Sequence, residues 1–288
     1  MNTAVREFSQ ALIAVIVALV VGWAGSQHGT TLGQLPTMLL CVLLAFAVQW
    51  VVFLHAWKNH TEKFFDLTGS LTYLTVLVVA LLLGNGDPRS LLIAALVAIW
   101  AVRLGTFLFR RVSQDGHDRR FNQIKHSLST FFMTWTLQGL WVSLTLACGL
   151  AAMTSLGSQP LGIFAILGTL LWLVGFGIEV IADRQKSDFR AIEANQDRFI
   201  SHGLWSWSRH PNYFGEILLW TGIALIALPA LSGWQYLTLI SPLFVYLLLT
   251  KISGVRMLEN RANRAWGEDP DYQAYRARTP VLVPRPPG

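Results

Sequence analysis

The chain has 288 residues, of which 53% are hydrophobic and only 13% charged, with a formal net charge of +6. So much apolar surface cannot be hidden in one soluble core, which excludes an ordinary water-soluble domain and makes lipid the main solvent. The positive balance reads mostly as membrane topology, with some of it free to meet anionic lipid head groups, and no basic stripe stands on a folded soluble module, which argues against nucleic-acid binding.

Apolar runs of the roughly 17 to 25 residues needed to cross a bilayer as helix recur along the chain. The first, Phe8 to Gly25, follows one early arginine but has no small-residue cleavage site behind it, so it reads as a retained helix. Then come Leu35 to Trp57, Leu67 to Leu83, Leu91 to Phe109, Leu128 to Met153, Leu161 to Ile181, Tyr213 to Leu231 and Trp234 to Thr250. The expected fold is an all-α polytopic transmembrane bundle of about seven or eight helices, forming one integral membrane domain over residues 1–288.

The connections alternate in charge. Lys58 and Lys63 occupy one. Arg110, Arg111, Arg119, Arg120 and Lys125 occupy a second, and Arg184, Lys186, Arg190, Arg198 and Arg209 a third, while the tail after Thr250 is rich in arginine. The intervening turns carry almost no positive charge, Arg89 excepted, so the positive-inside rule puts both termini in the cytoplasm. Cys41 and Cys148 fall inside apolar runs and read as buried small hydrophobes. His55 and His60 lie five apart with no third ligand nearby, so no metal site is expected.

Polar residues gather in Lys58 to Asp66, Arg110 to His126, Asp183 to Glu216 and the tail from Lys251, four stretches that this topology brings to the cytoplasmic face. Arg103, Glu179 and Glu216 are ionisable groups within or near membrane runs, where a charge needs a partner or a wet cavity. They read either as a polar cavity open to the cytoplasm or as a buried pair of Arg103 with one glutamate. The most specific string is Arg209-His210-Pro211-Asn212-Tyr213-Phe214-Gly215-Glu216, where a basic loop enters an apolar helix. Pro211 suits the first helical turn, whose open amides favour an anionic group such as phosphate, and Arg209 and His210 add positive charge. Asn212 and Glu216, four apart, share a helix face and can read an amide or hydroxyl edge. Upstream, Asp183 suits a ribose or amide, and Arg190 and Arg198 suit phosphate, ahead of the aromatic stretch around Trp205.

Three blocks resemble the bacterial branch of the steroid 5-alpha-reductase family. They are Arg103-Leu104-Gly105 through Arg110-Arg111; Asp183 with Arg190 and Arg198; and Trp205 through Glu216. The resemblance covers most of the chain from about Lys58 onward, so residues 1–57 read as extra N-terminal helices and 58–288 as a reductase-like core. It implies an NADPH-dependent oxidoreductase of the bacterial inner membrane, its cofactor site facing the cytoplasm. The reaction would reduce a carbon-carbon double bond conjugated to a carbonyl in a steroid or other lipophilic substrate. It also implies that Asn212 and Glu216 orient the nicotinamide, that Arg103, Arg111, Arg190 and Arg198 approach the phosphates, and that Trp205, Arg209, His210 and Tyr213 belong to the same site. Where animal members have a tyrosine that polarises the substrate ketone, this chain has Trp100, whose indole donates a hydrogen bond but cannot supply a proton as a phenol can. Asp66 and Tyr73 are the candidates to take that role.

Two other classes compete. The Arg-His-Pro-x-Tyr-x-Gly string is also similar to membrane methyltransferases of the isoprenylcysteine carboxyl methyltransferase kind, which use S-adenosylmethionine. A non-enzymatic lipid-binding protein would leave Glu216 and Arg190 without a role.

Overall fold

The computed structural model describes residues 3–118 and 120–286. Among them the chain is nearly all helix. The order is α1 (Thr3–Gly25), β1 (Thr31–Leu32), β2 (Leu35–Pro36), α2 (Thr37–Lys58), α3 (Phe65–Leu83), α4 (Pro88–Asp115) and α5 (Phe121–Ile124). Then follow α6 (Leu128–Thr145), α7 (Ala147–Thr154), α8 (Ile163–Ala191), α9 (Pro211–Ala227), α10 (Ile240–Leu247), α11 (Gly254–Trp266) and α12 (Pro270–Arg278). The two strands form an antiparallel turn, Thr31 opposite Pro36 and Leu32 opposite Leu35. Among the described residues seven helices are long and apolar enough to cross a membrane, or eight if the bent pair α6 and α7 is one span. This is the transmembrane helix bundle that the apolar runs predict.

The chain divides into two compact units, residues 1–165 with 224–241, and residues 166–223 with 242–288. In the first, α1 and α2 pack on α6, α2 on α3, and α3 on α4. Apolar packing alone gives little preference between helices in lipid, so buried polar contacts help to fix register. The Gln49 amide donates to the Thr72 hydroxyl at 2.9 Å and the Trp50 indole to the Thr136 hydroxyl at 3.1 Å. Glu7 on α1 is buried and accepts from the hydroxyls of Ser129 at 2.5 Å and Thr130 at 2.8 Å, in the first turn of α6.

Two expectations change in this unit. Arg89, the one positive charge expected in an intervening turn, is 1% exposed, and its guanidinium donates to the carbonyls of Ile226 and, at 2.8 Å, Pro160. It is thus an internal clasp, just behind the Asp87 cap and Pro88 that start α4. The run Leu128 to Met153, expected as one helix, is broken at Leu146 by a bend of 55°. The break opens the Thr145 carbonyl, which accepts from the Ser241 hydroxyl instead of continuing the helical ladder.

In the second unit α8 and α9 meet along glycines. A Cβ on Gly215 would stand 2.5 Å from the Gly175 carbonyl oxygen and 2.8 Å from the Glu179 amide, and one on Gly222 would stand 2.6 Å from the Gly168 oxygen. Only residues without side chains allow backbones this close. The run expected to end at Ile181 continues as helix to Ala191, so Asp183, Arg184, Lys186 and Arg190 lie on α8 and not in a loop. The last expected run is likewise interrupted: α10 passes through a π turn at Leu248–Ile252 before α11 begins.

Candidate functional site

The sequence candidates fall in both units. In the second, the glycine contact sets α9 against the C-terminal half of α8 and brings Asn212 to Asp183. The Asn212 amide nitrogen donates to the Asp183 carboxylate at 3.2 Å. Glu216 lies one turn further along α9, next to Gly215, whose backbone rests on that of Glu179. Two of the expected recognition groups, Asp183 and Asn212, are therefore assembled, with Glu179 and Glu216 on the adjoining turns.

The loop between α8 and α9 folds back onto α8. Trp205 is buried with Ala182 and Ile200, and its indole donates to the Ala182 carbonyl at 3.0 Å. The Lys186 ammonium sits 4.5 Å from the Trp205 ring centre. The Gln185 side-chain oxygen accepts from the Leu204 amide at 2.9 Å, next to Gly203, whose φ of +61° favours glycine. Trp205 thus anchors the loop. Arg190 and Arg198 are exposed, on the last turn of α8 and in the loop that follows.

At the start of α9, Arg209 and His210 converge on one residue that the sequence did not single out. Glu259 of α11 accepts from the Arg209 guanidinium through one oxygen and from His210 Nε2, at 2.9 Å, through the other. Burial holds the His210 imidazole below its usual pKa; the hydrogen bond and charge of Glu259 oppose that push, while Lys186 and Arg209 reinforce it. The only hint in the sequence was an isolated acid in the arginine-rich run Arg256 to Arg264. The C-terminal tail then runs beside the same loop. The Arg209 amide donates to the Pro280 carbonyl and the Arg285 amide to the Trp207 carbonyl, both at 2.9 Å. The Tyr275 hydroxyl donates to the Trp205 carbonyl at 2.7 Å.

In the first unit, Tyr73, Trp100 and Trp141 form an edge-to-face aromatic cluster, Tyr73 lying 5.1 Å from Trp100 and 5.5 Å from Trp141. The Tyr73 hydroxyl bonds that of Thr145, which donates onward to the Trp141 carbonyl at 2.7 Å, so Tyr73 is the donor in the pair. Arg103 stacks over Phe107 at 5.2 Å, and Arg111 is exposed on the last turns of α4. Asp66, in the first turn of α3, lies 3.6 Å from Arg120, which also holds Asp118 at 2.5 Å. Beside them the buried Glu62 accepts from Lys125 at 2.9 Å and from the Asp118 amide at 3.1 Å. Burial would raise the Glu62 and Asp118 carboxyls, but hydrogen bonds from Lys125 and the Asp118 amide to the first, and from Arg120 to the second, hold both below their usual range.

Comparison with known proteins adds a family. A family model described as "Protein of unknown function (DUF1295)" matches residues 49–279. A protein of Schizosaccharomyces pombe, itself described as uncharacterized, is 23% identical over 229 residues. That match covers 68% of this chain and 64% of the yeast protein, so the chain spans less than two thirds of that relative's length. No solved structure matches the chain.

Proposed function

The chain belongs to the DUF1295 family, and we propose that this helical membrane protein is an NADPH-dependent oxidoreductase acting on a lipophilic substrate. The reaction is reduction of a carbon-carbon double bond conjugated to a carbonyl, in a steroid or another lipid enone. The observation that carries the reading is the pairing of Asn212 with Asp183, with Glu216 one turn along the same helix. The Asn212 amide nitrogen is turned to a carboxylate, so its oxygen is presented as an acceptor, and the set offers acceptors for the carboxamide and hydroxyl donors of a nicotinamide nucleotide. Exposed Arg190 and Arg198 suit its phosphates. When bound, NADPH supplies the hydride; the chain's part is to orient the cofactor, exclude water and stabilise the charge that develops on the carbonyl oxygen. The arginine-rich ends of the helices face the cytoplasm in this reading, where NADPH is available.

A second reading has one specific observation in its favour. Arg209 is paired with Glu259, which leaves one cation fewer for phosphate than the basic loop supplies and suits S-adenosylmethionine, a cofactor without phosphate. Thermal unfolding of the purified protein with each compound separates the two. A ligand at one hundred times its dissociation constant stabilises the folded state by about 2.7 kcal/mol. Stabilisation by NADPH, with NADPH oxidation when a 3-oxo-steroid or lipid enone is added, supports the reductase. Stabilisation by S-adenosylmethionine alone replaces it with a methyltransferase.

A further inference from the structure

His210 is 5% exposed, its ring lies nearly parallel to Tyr213 with centres 5.7 Å apart, and its Nε2 is held by Glu259. Its other nitrogen, Nδ1, is buried and has no hydrogen-bond partner among the described residues. A bare polar nitrogen in a dry site costs stability unless something fills it.

Which partner fits follows from the tautomer. The charged groups acting on the ring are Glu259 from α11, Lys186 from α8 and Arg209 from the adjoining loop, and with burial their sum favours the neutral form. A carboxylate can only accept, so a neutral ring beside Glu259 keeps its proton on Nε2, and Nδ1 presents a lone pair. Such a nitrogen cannot pair with phosphate, which is itself an acceptor at neutral pH. The sequence expectation that His210 contributes positive charge for an anion does not describe this geometry.

We propose that His210 is a neutral reader of the bound cofactor, its Nδ1 accepting a hydrogen bond from an uncharged hydroxyl or amide N–H group, with Glu259 as the positioning residue that fixes the tautomer. The proposal rests on the cofactor reading of the second unit. It adds that this part of the site recognises a ribose or carboxamide donor and not a phosphate.

The test is titration of the full-length protein in detergent with NADPH, and with NADH to remove the 2′-phosphate, whose own protonation falls in the same pH range. His210→Gln places an amide near the position of Nε2 and retains a donor for Glu259, but offers nothing at Nδ1. His210→Asn places a carbonyl oxygen near the position of Nδ1. Loss of one hydrogen bond predicts about tenfold weaker binding by His210→Gln, against less than about threefold for His210→Asn. Wild-type NADH affinity should fall as the pH drops below the ordinary histidine range, and His210→Asn should flatten that fall. Glu259→Gln, which frees the tautomer, should weaken binding as His210→Gln does. Wild-type affinity in His210→Gln, or an unchanged pH profile in His210→Asn, overturns the proposal. Absence of NADPH binding by the wild type overturns the cofactor reading itself, and that is seen before any variant is made.

Discussion

Asn212 and Asp183 meet across two helices whose backbones touch, so the direction of the Asn212 amide is set by a carboxylate that can only accept. Converting the asparagine to an acid tests this directly. Asn212→Asp places two carboxylates side by side and removes the donor, and NADPH affinity should fall about tenfold or more while the helical spectrum is retained. Fluorescence titration checks it, and unchanged affinity would remove Asn212 from the site.

The glycine seam makes a steric prediction. At Gly215 even a methyl group would lie 2.5 Å from a backbone oxygen of the facing helix, which has no flexible end to withdraw. Gly215→Ala should lower stability by about 1–3 kcal/mol and weaken cofactor binding together, because α8 and α9 must part to admit it. Gly177→Ala, on the facing helix α8 but with nothing near its added Cβ, is the control and should neither lower stability nor weaken binding. Thermal unfolding in detergent measures both.

The helix break at Leu146 predicts a purely structural effect. Ser241→Ala leaves the Thr145 carbonyl without its donor in the apolar interior, at a cost of about 1–3 kcal/mol. Its melting temperature should fall with no change in NADPH affinity of the folded protein.

The acid limb of stability should report on Glu62 and Asp118. Both are held below their reference values of 4.5 and 3.8, so the folded state releases protons that the unfolded chain still binds. Their contribution is complete above those reference values and is lost as pH falls through the lower, folded ones. Glu62→Gln should flatten melting temperature against pH in that window, and an unaltered slope would show that Lys125 does not hold the charge.

The activity itself gives a last contrast. Glu216→Gln and Arg190→Ala should each cut NADPH-dependent enone reduction by at least about tenfold, whereas a lipid-binding protein without catalysis has no such rate to lose.

Much of the fold is written in composition, because hydrocarbon demands about twenty apolar residues per crossing and the chain supplies them visibly. What was missed depends on partners far away in sequence. Nothing in Thr145-Leu146-Ala147 departs from an apolar helix, and the bend appears only with Ser241 opposite it. The charged run after Ile181 looks like a loop because it leaves the membrane, yet its residues are adequate helix formers and α8 continues through it. Of the candidate site, Asn212 and Asp183 stand out in the sequence because their residue types suit recognition, but their contact is visible only once α8 and α9 pack together. Glu259 does not stand out, since its importance comes from Arg209 and His210 some fifty positions earlier.

The buried carboxylate of Glu7 has a consequence for where this protein can be divided. The family match begins at residue 49, yet the hydroxyls in the opening turn of α6, well inside the matched region, find their acceptor on α1. Homology and folding therefore draw their borders in different places: a chain begun at the family boundary would leave the Ser129 and Thr130 hydroxyls without the carboxylate acceptor that the full chain supplies.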